Sequence, residues 1–221
     1  MISSQEFINE ASDQERFHKD IGRALNEVRA LVGDGLFTSA HEDGYILKKE
    51  TSWWKAHRLL VPAFGPLGLR KMFDDMLDIT SQMVLRWDRM GPDHRIDASD
   101  DFTRLAFDTI GLCSFGYRFN EFYSDEAHPF AKQMANVLTL SGRRSNRTNI
   151  QNALHRWEEQ VRQDDVKKMH ELVQQIIKER KRKPQPEAKD LLNTMLYSTD
   201  RETGETLSDD NVANNMITFL V

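Results

Sequence analysis

Apolar residues recur along almost the whole chain at spacings of three and four, the period of a helix face. Met72, Met76, Ile79, Met83 and Trp87, with Phe73, Leu77 and Val84 beside them, predict one long amphipathic helix over Leu67–Met90, stopped by Gly91-Pro92. Ser99, followed by Asp100 and Asp101, offers an N-cap and an acidic first turn to the next helix. Its apolar positions, Phe102, Leu105, Ala106, Ile110, Leu112 and Cys113, wrap most of the circumference, so this helix is expected to be central. Another helix is predicted over Pro129–Leu140. Arg156–Lys183 reads as a long polar helix with a narrower stripe of Val161, Val166, Met169, Leu172, Val173 and Ile176, and is expected at the surface. Pro184 and Pro186 end it, Leu191–Leu196 starts a short helix, and Thr203-Gly204 marks a turn. The fold class is mainly α.

Asp209 and Asp210 open a last helix through Val212, Met216, Ile217, Phe219, Leu220 and Val221 that meets no C-cap, glycine or proline. Its most apolar stretch is its final one, which predicts a chain cut through a core element. The helix start at Ser3-Ser4-Gln5-Glu6 has the same look, with nothing before it to pack upon. Residues 40–51 have no regular period and mix Gly44 with Lys48, Lys49 and Glu50, so they read as a loop.

Composition narrows the function classes. Hydrophobic residues at 39%, charged residues at 29%, 11 Gly and 6 Pro in 221 residues describe a dense globular chain and exclude collagen-like or mostly disordered alternatives. No apolar run approaches the roughly 18 residues of a membrane span, and Glu6, Glu10, Asp13 and Glu15 stand where a signal peptide would be apolar. A cytoplasmic protein with no transmembrane segment is the expectation. A lone cysteine, Cys113, closes off internal disulfides and multi-thiolate metal sites. A net charge of −5 and a pI near 5.8 argue against a nucleic-acid partner. The seven histidines show no metal-binding spacing, so no metal ligands are assigned.

Several short patterns have ordinary structural explanations. Gly33-Asp34-Gly35 lacks the third glycine and the preceding strand of a nucleotide loop and reads as a turn after a helix. Arg143, Arg144 and Arg147, and the run from Lys178 to Lys183 broken only by Glu179, read as solvated helix ends, with a docking patch as the alternative for the second. Trp53 and His57 sit one helical turn apart, after Thr51 and Ser52 as possible caps, with Leu60 and Phe64 nearby. Two directed N–H donors on a mostly apolar helix suit an anionic ligand edge such as a carboxylate, while packing at a helix boundary is the commoner use of such a pair.

Taken together, Gly33-Asp-Gly-Leu-Phe-Thr-Ser39, Trp53-Trp-Lys-Ala-His-Arg-Leu-Leu-Val-Pro-Ala-Phe64, Thr103-Arg-Leu-Ala-Phe-Asp-Thr-Ile-Gly-Leu-Cys113, Tyr117-Arg-Phe-Asn120 and Ile217-Thr-Phe-Leu-Val221 resemble the cytochrome P-450 family. The branch they resemble most is the self-sufficient fatty-acid hydroxylases, in which a haem domain is fused to an NADPH-dependent flavin reductase. The resemblance runs in order from about Ile2 to Val221. It implies a haem-thiolate monooxygenase that hydroxylates fatty acids or similar lipophiles with dioxygen, drawing electrons from NADPH through FAD and FMN of a fused or separate reductase.

By the same resemblance Trp53 and His57 would hydrogen-bond the haem propionates, and Leu36, Phe37, Phe64 and Phe219 would lie against or near the porphyrin. Leu25, Val28, Leu31, Val32, Phe37, Leu138 and Val221 would line an acyl-chain channel. The family's ligand loop, Phe-x-x-Gly-x-Arg-x-Cys-x-Gly, has no match, because Cys113 lies in an apolar helix without the upstream glycine and arginine and is read as structural. Glu159 to Arg162 and Glu179 to Arg182 imitate the family's Glu-x-x-Arg but sit in a polar helix, where such pairs are common. Thr203-Gly204-Glu205-Thr206 only imitates the oxygen-activation motif, whose place is immediately after Val221. No catalytic residue is therefore assigned. Residues 1–221 are expected to form a partial haem domain that lacks the family's first strands and helix and its C-terminal half, with 40–51 as a loop insertion. The alternative is a truncated, non-catalytic helical fragment or interaction module.

Overall fold

A computed structural model describes residues 4–13, 16–17, 21–39 and 52–221. Among them the helices are α1 (Gln5–Ala11), α2 (Arg23–Val32), α3 (Ser52–Leu60), α4 (Pro66–Lys71), α5 (Phe73–Met90), α6 (Ala98–Phe115), α7 (Pro129–Asn146), α8 (Asn149–Leu154), α9 (Arg156–Arg182), α10 (Leu191–Tyr197) and α11 (Asp209–Leu220). A 3-10 turn at Val61–Phe64 joins α3 to α4, and no strand occurs among the described residues. The loop expected over 40–51 lies outside them.

Helix starts follow local capping chemistry. Ser4, Thr148, Asp190 and Ser208 each accept an N–H of the first turn, and Thr148 with Gln151 completes a reciprocal box. Two expectations shift here. The cap of α6 is Asp97, whose Oδ1 accepts from Ser99 and Asp100, because its extended backbone (φ −89°, ψ 94°) aims the carboxylate at those donors. The helix expected over Leu67–Met90 is divided at Met72 (φ −85°, ψ −6°). Helix α4 folds tightly on the preceding turn, with Gly68 so close to Ala63 that a Cβ would strike its carbonyl. Met72 is buried, and its carbonyl accepts from Met76 and, weakly, from the Cys113 thiol at 3.7 Å.

The main core lies where α9 crosses α7 and α11, with α2 packed on α7 and α6 and α10 closing the other side. Met169, Val173, Ile176 and Ile177 of α9 are buried in it. The helix keeps the surface position expected of it, since more than half of its residues are exposed, and it turns only its stripe to the core. Val166 and Leu172 of that stripe pack against the core while Val161 stays exposed, and the buried Arg162 and Arg180 continue the stripe through their own partners. Arg180, for example, reaches the Phe115 carbonyl, Asp190 and Asn193 at 2.7–3.0 Å. A satellite cluster of Ile79, Met83 and Phe122 joins α5 to the loop after α6.

Candidate functional site

Helix α3 buries Ala56 and Leu60 on one face and leaves Trp53 and His57 half-buried on another. The two rings stack at 4.6 Å between centroids and 19° between planes, and Trp54 stands edge-on to both. The expected donors differ in availability. Trp53 Nε1 donates to the Leu36 carbonyl at 3.1 Å, whereas His57 has no hydrogen-bond partner among the described residues. Burial, and then the neighbouring Arg58 cation, lower the His57 pKa below its ordinary 6.5, so the imidazole is mainly neutral at pH 7.

The segment after α2 is sewn to α11. Gly33 takes φ 51°, and a Cβ on Gly35 would lie 2.2 Å from Thr218 Oγ1 and 2.9 Å from the Asn214 carbonyl, so only glycine lets the loop approach the helix this closely. The turn read after α2 is therefore also a docking surface. Asn215, fully buried, accepts the Leu36 N–H at 2.9 Å and donates to Asn211, which itself donates to the Asp34 carbonyl at 3.3 Å. Asn211 and Asn215 were not among the residues singled out from the sequence. The signal was present: three asparagines, poor helix formers, stand in an otherwise apolar helix.

This fastening brings Leu36 to Trp53 on one side and to Asn215 on the other. Phe219, one turn beyond Asn215, packs its ring on Phe64 at 5.7 Å. Phe37 and Phe64 remain 46% and 45% exposed. Large aromatics left open beside an unpartnered imidazole fit a flat apolar cofactor with acidic arms.

The seven residues assigned to an acyl channel fall into two groups. Leu31 and Val32 are solvent-excluded in the core, Val28 packs against it, and Leu25 is half-buried on the same helix, which lies on the α7 that carries half-buried Leu138. Val221 instead lies with Phe219 in the wall of a cavity of about 750 Å³ that Phe107, Ile110, Met134 and Arg104 also line. None of the α2 residues, Phe37 or Leu138 reaches that cavity.

Cys113 is buried, and desolvation, with Asp75 nearby, pushes its thiol up to about 11, the opposite of a metal-ligating thiolate. Glu159 and Arg162 do pair, at 2.7 Å, and Glu159 also meets Arg144 of α7, so this imitation of the Glu-x-x-Arg signature ties α9 to α7. Among the described residues no cluster of His, Cys, Asp and Glu could hold a metal ion, and no helix is long and apolar enough to cross a membrane.

Comparison with known proteins accounts for this arrangement. The Cytochrome P450 family model matches residues 15–221. A self-sufficient cytochrome P450 monooxygenase of Phanerodontia chrysosporium is 47% identical over 221 residues, all of this chain and 20% of the relative. Bifunctional cytochrome P450/NADPH–P450 reductases of Fusarium oxysporum and Bacillus subtilis are 45% and 42% identical, again over all of this chain and 20% of their own length. The chain spans about a fifth of the curated relatives it matches. With its α11 fastened to the segment that carries Leu36 and Phe37, and with 207 consecutive residues matched, the chain belongs to the cytochrome P450 family and forms part of its haem domain.

Proposed function

We propose that these residues form the distal and propionate-side wall of a haem-thiolate monooxygenase that hydroxylates fatty acids or similar lipophiles. The observation that carries this reading is the α3 surface: a His57 imidazole with no hydrogen-bond partner among the described residues, its pKa lowered by burial, stacked on Trp53 and flanked by the Phe64–Phe219 pair and exposed Phe37. His57 would donate to a propionate, and Trp53 would hold that ring in place by stacking while its N–H fixes Leu36. Phe37, Phe64 and Phe219 would cover the porphyrin faces and edge and keep water from it. Bound haem would supply dioxygen activation and the insertion of one oxygen atom into a C–H bond.

Substrate class follows from apolar surface. Leu25, Val28, Leu31, Val32 and Leu138 belong to the α2–α7 contact, which the Glu27–Arg144 ion pair also spans, and parting it by a few ångströms would offer an aliphatic chain these apolar side chains. Electrons from NADPH would arrive through FAD and FMN of a reductase; the bifunctional relatives are named for an NADPH–P450 reductase joined to the cytochrome. The thiolate is assigned to a residue outside these 221, since Cys113 is buried, protonated and turned toward the Met72 carbonyl.

The test uses the full-length gene product. The reduced protein should show the carbon monoxide difference maximum of a thiolate-ligated haem. His57→Ala should lower haem content severalfold, and Cys113→Ser should leave the spectrum intact. Absence of the maximum in the full-length protein, or its loss in Cys113→Ser, would sink the reading.

A further inference from the structure

Arg86, near the end of α5, is held by one edge of its guanidinium and left idle on the other. Its Nη1 donates to the Ser124 carbonyl at 2.8 Å, which fixes the side chain against the loop between α6 and α7. Its Nε is shut off from water and has no hydrogen-bond partner among the described residues. Its Nη2 has only Asp125 Oδ1, at 3.5 Å, too long for a charge-assisted hydrogen bond. Nε and Nη2 together form an edge with which a guanidinium grips an oxyanion through two parallel bonds. A donor buried without an acceptor is costly and marks a place where an acceptor belongs.

The space beside that edge fits a small anion. A cavity of about 200 Å³ opens there, and Arg89, one turn further along α5, shares its wall with Phe122, Tyr123 and Ser124. Arg89 is exposed and forms no ion pair or hydrogen bond among the described residues. The volume is roughly seven times a water molecule's share of the liquid, room for a tetrahedral anion with its waters. It falls below the roughly 300 Å³ at which pockets for larger organic ligands begin. Asp125 is the one carboxylate in the wall, and its side chain is 99% exposed, so it can leave the cavity without losing a buried contact. Asp88, beside Arg89 in sequence, is exposed and lies outside the wall. Arg104, itself paired with Asp100 and Glu121, holds the loop from behind by donating to the Ser124 and Asp125 carbonyls at 3.2 and 2.8 Å. The wall is therefore built before any ligand arrives.

We propose that this cleft binds a dianionic phosphate group, as inorganic phosphate or a small phosphate monoester, across Arg86 Nε and Nη2 with Arg89 beside it. The anion would displace Asp125 and tie the end of α5 to the loop that leads into α7. Partial negative charge at the C-terminus of α5 opposes the anion, which sets the affinity near millimolar rather than micromolar. None of the residues of the candidate cofactor wall lines this cleft, so the proposal does not rest on the monooxygenase reading.

The experiment is calorimetric titration of the full-length protein with sodium phosphate and, separately, with methyl phosphate, at constant ionic strength. Half-saturation is expected at about 1 mM. Methyl phosphate should bind more tightly well above about pH 6, where a monoester loses its second proton, than below it, and no histidine lines the cavity to mimic that dependence. Arg86→Lys, which keeps the charge and loses the fork, should weaken binding about tenfold. Arg89→Gln should weaken it about threefold and Asp125→Asn strengthen it about threefold. Arg182→Gln, which removes an exposed cation of α9, should change nothing. Amide exchange at residues 122–125 should slow severalfold on phosphate addition. Tighter binding of the ester would assign the cleft to a phosphorylated small molecule and tighter binding of the inorganic anion to free phosphate, and either result supports the site. Absence of saturable heat from both ligands, an equal response to chloride, or binding indifferent to Arg89→Gln and Asp125→Asn would each overturn it. Those two variants are exposed, so they decide the matter even where Arg86→Lys fails to fold. The carbon monoxide spectrum of all variants should match the parent, which keeps this test apart from that of the haem site.

Discussion

Arg58 and Asp200, 142 residues apart, meet in a two-pronged pair: Nε donates to Oδ1 at 2.8 Å and Nη2 to Oδ2 at 2.5 Å. Asp200 is 1% exposed and also accepts from the Thr203 hydroxyl and N–H, so one carboxylate organises the 200–205 turn and anchors α3. Lys55 reaches Glu205 of the same turn at 2.5 Å. Since α3 carries Trp53 and His57, the turn that merely imitates an oxygen-activation motif is the element that fixes the orientation of the candidate cofactor wall.

Asp200→Asn should therefore lower the melting temperature by about 5 °C, because it removes the buried, two-pronged partner of Arg58 and leaves the more exposed Glu202, 3.3 Å away, to meet that cation. The Arg58 hydrogen bonds hold the Asp200 pKa far below the usual carboxylate range. The depressed pKa places its contribution above the unfolded value of about 3.9, and the contribution is lost as pH falls from there toward the folded value. Urea melts of the two proteins should thus differ most near neutrality and converge progressively below about pH 4. A gap that is constant from pH 3 to pH 7 would contradict the pairing.

His57 and His128 make a second pH statement. Burial is the first cause of depression for both; Arg58 adds to it at His57, while Asp108 opposes it at His128. A His depressed on folding gives stability that is present above about pH 6.5 and is lost as pH falls through the folded value. Proton NMR should find both imidazoles titrating below 6.5. Asp200→Asn should lower the His57 midpoint further, because it removes the anion that offsets Arg58.

Asp108 tests the loop between α6 and α7. It is fully buried and accepts N–H groups from Phe119, Asn120 and Glu121 at 2.8, 3.3 and 3.1 Å, holding Asn120 at φ 58°. Asp108→Asn turns an amide NH₂ toward some of those donors and should cost about 3 kcal/mol in urea denaturation. Amide exchange should accelerate most at residues 119–121.

Cys113 should behave as an inert thiol. With its pKa near 11, only about one part in a thousand is thiolate at pH 8. Iodoacetamide should modify it more than about a hundredfold slower in the native chain than in urea. Rapid native labelling would contradict its placement.

How much of this was legible differs from residue to residue. The helix spacing of Trp53 and His57 is a one-turn relation, and the stack follows from it. That Trp53 would donate to Leu36 was not legible, because it depends on a loop fastened by asparagines about 180 residues away. Helix α9 was legible as a surface helix with a narrow stripe, but not the burial of two of its arginines: Arg180 is covered through the Phe115 carbonyl, distant in sequence, and Arg162 through Glu159 of its own helix. The Arg58–Asp200 pair left no local trace, since each residue taken alone is an ordinary surface charge. Caps were legible as a type but misplaced by a residue or two where several acceptors competed, as at Asp97 and Ser99.

The approach of Gly35 to α11 gives the sharpest test of the site as a unit. An added Cβ would lie 2.2 Å from Thr218 Oγ1 and 2.9 Å from the Asn214 carbonyl, and Thr218 cannot turn away freely because its hydroxyl donates to that same carbonyl at 2.8 Å. Gly35→Ala must therefore push the 33–39 segment off the helix, stretching the Leu36 N–H to Asn215 bond and displacing the Leu36 carbonyl from Trp53. The expected cost is about 2 kcal/mol. Thr218→Ala alone should cost less than about 1 kcal/mol, and the pair should be less destabilised than the sum, because the nearer contact is gone while the backbone contact remains. A thermodynamic cycle from four urea melts measures that coupling, and additive effects would show that the loop does not rest on α11. In the single Gly35→Ala variant Trp53 should also lose its hydrogen bond, read as a shift of its indole N–H resonance that Thr218→Ala partly restores.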